Sequence, residues 1–320
     1  MATYWFHGNG IEISSDDRKI DEALDARLRY FRSSTPGSSA LTFHIGPYDG
    51  LDRGSSLPGR VVYEPAMGEV LYRDDNDELL IRHGDEAFVS CRAGDGHASV
   101  EVRSRSPRLV WLASHPLFTI PLIEMLKRRG LYSVHAAGVA LSGRALLFAG
   151  PSGSGKSTLS IALIRAGFGL LGDDMTFLAR AQDDVRVLGF PDEVDLTDET
   201  VGFFPELSGL EECPPDEGWP KHRLHTEDRY GAPPVTCSVA GALVFPRLVK
   251  RLKNVATRIG PDEALRELAP NVLLTEPTSS QAHLDAMADL VRVSKCYRLE
   301  IGRDFDQLAH LCRTLIEAAA

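Results

Sequence analysis

The first hundred residues alternate apolar and polar side chains in short runs, the period-two signature of strands with one face toward a core. Such runs are 41–45 (LTFHI), 60–63 (RVVY), 69–72 (EVLY), 79–83 (LLIRH), 87–91 (AFVSC) and 98–104 (ASVEVRS), separated by Gly, Pro, Asp and Asn. They predict a mostly antiparallel sheet with one solvated face. Residues 16–32 break the pattern with apolar positions at helical spacing, and 34–39 (STPGSS) and 74–78 (DDNDE) read as loops. Around 114–130 the period becomes helical, with Ser114 as a cap, Lys127, Arg128 and Arg129 in the last turn, and Gly130 as the stop. Beyond it, apolar strands alternate with helices. The strands are 131–141, 144–150, 168–171, 242–246 and 296–301; the helices start at Lys156 and lie near 261–269, 280–292 and the C-terminus. That alternation predicts an α/β domain with helices packed on a central sheet. The change of pattern falls near 110–130, so we expect a β-rich N-terminal domain over 1–120 and an α/β domain over 121–320.

Composition narrows the class. The chain has 320 residues, 43% hydrophobic and 25% charged, a globular mix with ample apolar material for a core. Against 45 acidic residues stand 35 basic ones, a net charge of −10, which argues against general nucleic-acid binding. Five widely spaced cysteines, Cys91, Cys213, Cys237, Cys296 and Cys312, suit buried thiols in a reducing compartment better than a disulfide framework. The N-terminus lacks the layout of a signal peptide, and we expect no run to approach the roughly 20 apolar residues of a membrane span. We expect a cytoplasmic protein that binds neither nucleic acid nor membrane.

The strongest motif is 150–157 (GPSGSGKS), which fits G-x-x-x-x-G-K-[ST] between an apolar strand and an amphipathic helix. An accidental match is expected in roughly one chain in a hundred of this length. Gly150, Gly153 and Gly155, with Ser152 and Ser154 between them, let successive backbone N–H groups point into one concavity. The helix N-terminus adds partial positive charge. Lys156 would meet the β- and γ-phosphates of ATP, Ser157 would bind Mg²⁺, and Thr158 offers a second hydroxyl. At the end of the next strand stand Asp173 and Asp174. One carboxylate there can hold Mg²⁺ and the other can take a proton from an attacking hydroxyl. His135 precedes the phosphate-loop strand.

Taken together, 135–178, from the HAAGVAL run through GPSGSGKST to GLLGDDMTFL, resembles the catalytic domain of the HPr kinase/phosphorylase family. The resemblance implies a C-terminal P-loop kinase domain of the HPr kinase and phosphoenolpyruvate carboxykinase type. It also implies ATP-dependent phosphorylation of a protein serine. In that reading Asp173 is the catalytic base, Asp174 a magnesium-side carboxylate, and His135 assists at the acceptor. The glycine-rich signature of bifunctional members is missing; 188–196 (LGFPDEVDL) and 221–231 (KHRLHTEDRYG) lie in its place. The layout is similar to HPr-kinase-like proteins of ribosomal-peptide maturation, including lasso-peptide kinases, and implies a serine-bearing peptide as substrate. A small-molecule hydroxyl kinase and a nucleotide-dependent switch or assembly module are the alternatives, and the N-terminal domain would hold the acceptor or mediate homo-oligomerisation.

Phosphoryl transfer needs further positive charge around the γ-phosphate. Candidates are Lys221 and Arg223, after the Pro-rich loop 213–220, and Arg247 at a strand end. His222 and His225 lack the companions of a zinc site. Basic clusters at Arg103/Arg105/Arg108 and Arg247/Lys250/Arg251/Lys253 are either solvated faces or a means of steering an acidic peptide. The segment 203–207 (FFPEL) either packs internally or meets an acceptor.

Overall fold

The computed structural model describes residues 2–33, 40–48, 59–64, 68–73, 77–104, 106–210, 212–213, 221–231 and 234–318. The expected loops at 34–39 and 74–76, Arg105 and the Pro-rich stretch 214–220 lie outside them. The chain divides into two units. The first comprises Met1–Arg129 with Asp216–Gly218 and Leu274–Ser280, and the second Gly130–Pro215, Trp219–Leu273 and Gln281–Ala320.

The first unit is built on one sheet of strands β1 (Ala2–Phe6), β2 (Asn9–Ser15), β3 (Ala40–Pro47), β4 (Arg60–Tyr63), β5 (Glu69–Arg73), β6 (Glu78–His83), β7 (Ala87–Arg92) and β8 (His97–Val102). Their order is β1-β2-β3-β8-β7-β6-β5-β4. Helix α1 (Arg18–Arg27), capped by the Asp17 carboxylate, carries the chain from β2 to a parallel β3. β3 and β8 are also parallel, and the remaining pairs are antiparallel. The expected single solvated face does not hold throughout. Val70, Leu71 and Tyr72 are buried in succession, as are Leu79, Leu80 and Ile81, so both faces are covered there. The β1–β2 hairpin escaped the sequence reading; it turns at His7 and Gly8, both with positive φ, and buries Tyr4 and Phe6 on one face.

The helix expected over 114–130 is two helices, α2 (Pro107–Ser114) and α3 (Pro116–Lys127). Ser106, not Ser114, caps the first. The break falls at His115 because Pro116 has no N–H and disfavours helical backbone in the residue before it. Length and composition alone would let Pro107–Lys127 cross a membrane, which corrects the expectation that no run comes close. This stretch is broken at His115, and 67% of its apolar window is buried within the protein, as in a core helix.

Lys127 is not the solvated last-turn residue expected. Its ammonium is fully buried with the Glu124 carboxylate (3.2 Å) and Thr275 Oγ1 (3.0 Å), and Arg128 also reaches Glu124. Burial pulls the Lys127 pKa down, while Glu124 opposes the shift.

The second unit contains β9 (Leu131–Val134), β10 (Ala136–Leu141), β11 (Arg144–Ala149), α4 (Lys156–Arg165), β12 (Gly169–Gly172), β13 (Thr176–Arg180), β14 (Val185–Gly189), β15 (Val194–Leu196) and α5 (Asp198–Phe203). It continues through β16 (Glu212–Cys213), β17 (Lys221–Leu224), α6 (Thr226–Tyr230), β18 (Cys237–Leu248), β19 (Val255–Arg258), α7 (Pro261–Leu268), α8 (Pro277–Val293, which belongs to this unit from Gln281 on), β20 (Lys295–Ile301) and α9 (Phe305–Ala318). The main sheet runs β12-β10-β11-β18-β14-β13-β9, with β20 and β19 joined to the far half of β18. A small sheet, β15-β17-β16, stands apart.

Alternation along the strands sorts the core onto two faces. Ala137, Val139, Leu146, Phe148 and Val244 meet α4 and α9 on one face. Ala136, Ala140, Ala145, Leu147 and Phe245 meet α7 and α8 on the other. Each such buried Leu or Phe contributes roughly 1.5–3 kcal/mol. The unit is therefore mixed α/β, but its sheet is mostly antiparallel; among the described residues only β11–β18 and β18–β20 pair in parallel. Phe204 and Leu207 lie in this core, so the 203–207 segment packs internally. Cys91, Cys296 and Cys312 are buried free thiols, whereas Cys237 is exposed, against the expectation for it.

The buried ion pair yields a stability prediction. Replacing Lys127 by Met removes the buried ammonium and leaves Glu124 to Arg128 and Thr275, which should cost about 2 kcal/mol. Arg18→Ala, at the exposed Arg18–Glu22 pair, should change stability by less than about 0.5 kcal/mol. Urea unfolding of the two variants checks the contrast.

Candidate functional site

The site forms because β10 runs antiparallel to both of its neighbours. The C-terminal ends of β11 and β12 therefore lie at the same sheet edge as the N-terminal end of β10. Ala136 pairs with Ala149, which puts His135 across from Gly150; Gly138 pairs with Gly172, which puts Asp173 at that edge as well. The strand expected over 131–141 is interrupted at His135, whose amide donates to Asn271 O (2.8 Å) instead of to a strand.

The 150–157 turn leads into α4. Gly153 and Gly155 take positive φ (77° and 97°), which side chains rarely tolerate. At Gly155 a Cβ would also lie 2.8 Å from Leu248 Cδ2, so glycine is required twice over. Lys156 is buried and folds back onto Gly150 O (2.8 Å) and Pro151 O (3.4 Å). Burial lowers its pKa, opposed by Asp174 and Asp173. Ser157 Oγ donates to Asp173 Oδ2 at 3.0 Å. Ser154 Oγ is buried and makes no hydrogen bond. Ser152 lies on the exposed part of the turn. Thr158 does not offer its hydroxyl toward the turn as expected; it is buried against Thr200 Oγ1 (2.8 Å).

Asp173 is 4% exposed, and its Oδ1 has no hydrogen-bond partner. Burial, then the neighbouring Asp174 charge, pushes its pKa well above the usual carboxylate range; the Ser157 bond works against them. Asp174 faces solvent. His135 is also exposed; desolvation by its surroundings holds its pKa down, and Asp174 pulls it up. The turn after Gly172 is tight, since a Cβ there would strike Met175 O.

A feature missed in the sequence is the acidic strand β15. The charge and backbone amide of its Asp195 both act on the Asp173 carboxyl. Asp195 pairs in register with Arg223 on β17, and Arg223 Nε reaches Asp195 Oδ1 (3.2 Å) and Glu193 Oε2 (3.5 Å). Lys221 Nζ also holds Asp195 (3.1 Å). Arg223 and Lys221 thus join the aspartate cluster through Asp195. The alternation in EVDL, which puts Glu193 and Asp195 on one strand face, was the available signal. Arg247 stands apart: exposed at the end of β18, its guanidinium turns to Glu267 (2.9 Å).

No protein-family model matches the chain, and no curated protein does. Among solved structures, the Hpr(Ser) kinase/phosphatase from Coxiella burnetii matches 58% of this chain and 94% of its own, at 14% identity and a TM-score of 0.29.

The burial of Asp173 carries a signed consequence. Its folded pKa is raised, so the native state keeps a proton that the unfolded chain gives up in the ordinary carboxylate range. That contribution is full below the unfolded pKa and is lost as pH rises through the folded one. Asp173→Asn removes the buried charge. Without added nucleotide it should raise the melting temperature at pH 8 by about 2–4 °C, corresponding to roughly 1 kcal/mol, and leave it nearly unchanged at about pH 3.5, below the unfolded pKa. Calorimetry at the two pH values is the check.

Proposed function

We propose that this chain is a kinase using ATP and Mg²⁺, which transfers the γ-phosphoryl group to a serine hydroxyl of a peptide or protein. One juxtaposition carries the reading: the buried Asp173, with one oxygen unpaired and the other bonded to Ser157, at the mouth of a glycine-rich strand-to-helix turn. A structural acid in a core would have both oxygens satisfied.

The residues fit the nucleotide and metal. Gly150–Ser157 offers amides, and Lys156 is held only by carbonyls that a phosphate would outbid. Ser157 with Asp174 supplies the hard oxygen donors that Mg²⁺ prefers. Bound Mg·ATP would supply the electrophilic phosphorus and neutralise charge on the departing phosphates.

The chain does the rest. Lys156 turns from Gly150 O to the phosphate oxygens. Asp173 takes the acceptor hydroxyl's proton as the new O–P bond forms and the bond to the ADP oxygen breaks, a role suited to a carboxylate whose pKa is raised above the ordinary carboxylate range. His135, which is exposed and feels the Asp174 charge, orients the acceptor. Arg223 exchanges Asp195 for the γ-phosphate oxygens, and Arg247 adds long-range positive charge.

Radiolabelled ATP with a degenerate serine-peptide pool tests this. Asp173→Asn should lower transfer by about 10²–10⁴-fold, while the affinity for a fluorescent ATP analogue stays within about threefold; Lys156→Ala should lose the affinity itself. Slow ATP hydrolysis with no labelled peptide, unaffected by Asp173→Asn, would sink the kinase reading in favour of a nucleotide switch.

A further inference from the structure

Beside the glycine-rich turn, residues 247–253 read RLVKRLK, four basic side chains and no acid in a protein of net charge −10. Two leucines of this stretch face solvent, Leu248 at 50% and Leu252 at 65% exposure. A surface leucine alone means little. These two are held out by a rigid frame. Leu252 O accepts the amides of Arg303 (3.0 Å) and Asp304 (3.1 Å), and Val249 N donates to Ile301 O (2.9 Å). Asn254 locks the return: its Oδ1 takes the Gly302 amide (2.8 Å) and its Nδ2 donates to Asp304 O (2.7 Å). A Cβ at Gly302 would strike Leu252 O, so the turn is seated as closely as backbone allows.

The charges are arranged with equal asymmetry. Arg247 and Arg251 are paired with Glu267 and Glu300. Lys250 and Lys253 are exposed, and neither has an ion-pair partner among the described residues. The other basic cluster offers less: Arg103 and Arg108 are engaged by Asp85 and Glu86. Leu248 links the turn to the candidate site, since it lies against Gly155 at the start of α4.

We infer that the 247–253 turn is the acceptor-docking surface, and that it takes an acidic peptide segment carrying an apolar side chain. The apolar side chain would cover Leu248 and Leu252, and its carboxylates would pair with Lys250 and Lys253. Pre-organisation matters here because a turn already fixed loses little entropy when it is covered. Charge complementarity in turn raises the encounter rate and excludes basic segments. The inference rests on the kinase reading for calling the bound peptide an acceptor, but the docking itself needs no phosphoryl transfer.

The test is selection of a synthetic degenerate peptide library on the immobilised full chain, read by mass spectrometry. The wild type should enrich Asp and Glu together with Leu, Ile or Phe at least fivefold. A Lys250→Glu/Lys253→Glu variant should abolish the acidic preference, and Leu252→Ser the apolar one. Both variants should keep the affinity for the fluorescent ATP analogue, which excludes unfolding as the cause. No acidic enrichment, or the same enrichment in the variants, overturns the inference. Charge-reversible binding to phosphatidylserine vesicles without peptide enrichment overturns it too and assigns the turn to a lipid surface. If the library is selected but never phosphorylated, docking stands and the kinase reading falls; if peptides are phosphorylated without this selection, the reverse holds.

Discussion

Reversal of β10 between β11 and β12 is the constraint on which the second unit's chemistry depends. Side by side, two parallel strands would need a crossover, and the residue before the middle strand would emerge at the opposite edge. With β10 inverted, three separate stretches of chain, ending or beginning at Gly150, His135 and Asp173, open at one edge. Their spacing is then fixed by backbone hydrogen bonds rather than by loops. The apolar alternation of these strands, which fills two core layers, anchors that edge from behind.

Electrostatics sets what the edge can tolerate. Asp173 and Lys156 are both buried, and each is shifted toward its neutral form. They do not form a direct pair. Lys156 leans on carbonyls, and Asp173 accepts a hydrogen bond from Ser157 and lies under the influence of Asp195. Such an arrangement is costly in a resting protein, and the proposed Mg·ATP would relieve it. The small β15-β17-β16 sheet belongs to the same balance, since Asp195 holds Arg223 and Lys221 in reserve.

Much of this was legible in the chain. The glycine spacing, Lys156 and the Asp173–Asp174 pair stand in a contiguous stretch whose periodicity switches from strand to helix and back, and local rules suffice to place it. Other features depended on long-range pairing. Strand β15 is three residues long, and only its register with β17 brings Asp195 to Arg223. Thr158 followed the motif, yet its helical position turns it to Thr200 in the core. The sheet was expected from βα alternation, whereas hairpins such as β13–β14 make it mostly antiparallel. Lys127 shows the same limit: a basic residue in a last helical turn reads as solvated until its partner at Thr275, far along the chain, is known. His115 was legible in principle, because a proline follows it.

The unpaired oxygen of Asp173 also bears on how long the molecule survives. A ligand that binds only the folded state stabilises it by RT ln(1 + [L]/Kd), about 2.7 kcal/mol at a hundredfold excess over Kd. For a nucleotide bound as proposed, that increment would offset the cost of burying the Asp173 carboxyl in the resting state. On the proposed reading, loss of nucleotide would remove that increment and leave more of the chain open to proteases, so abundance would fall with nucleotide supply.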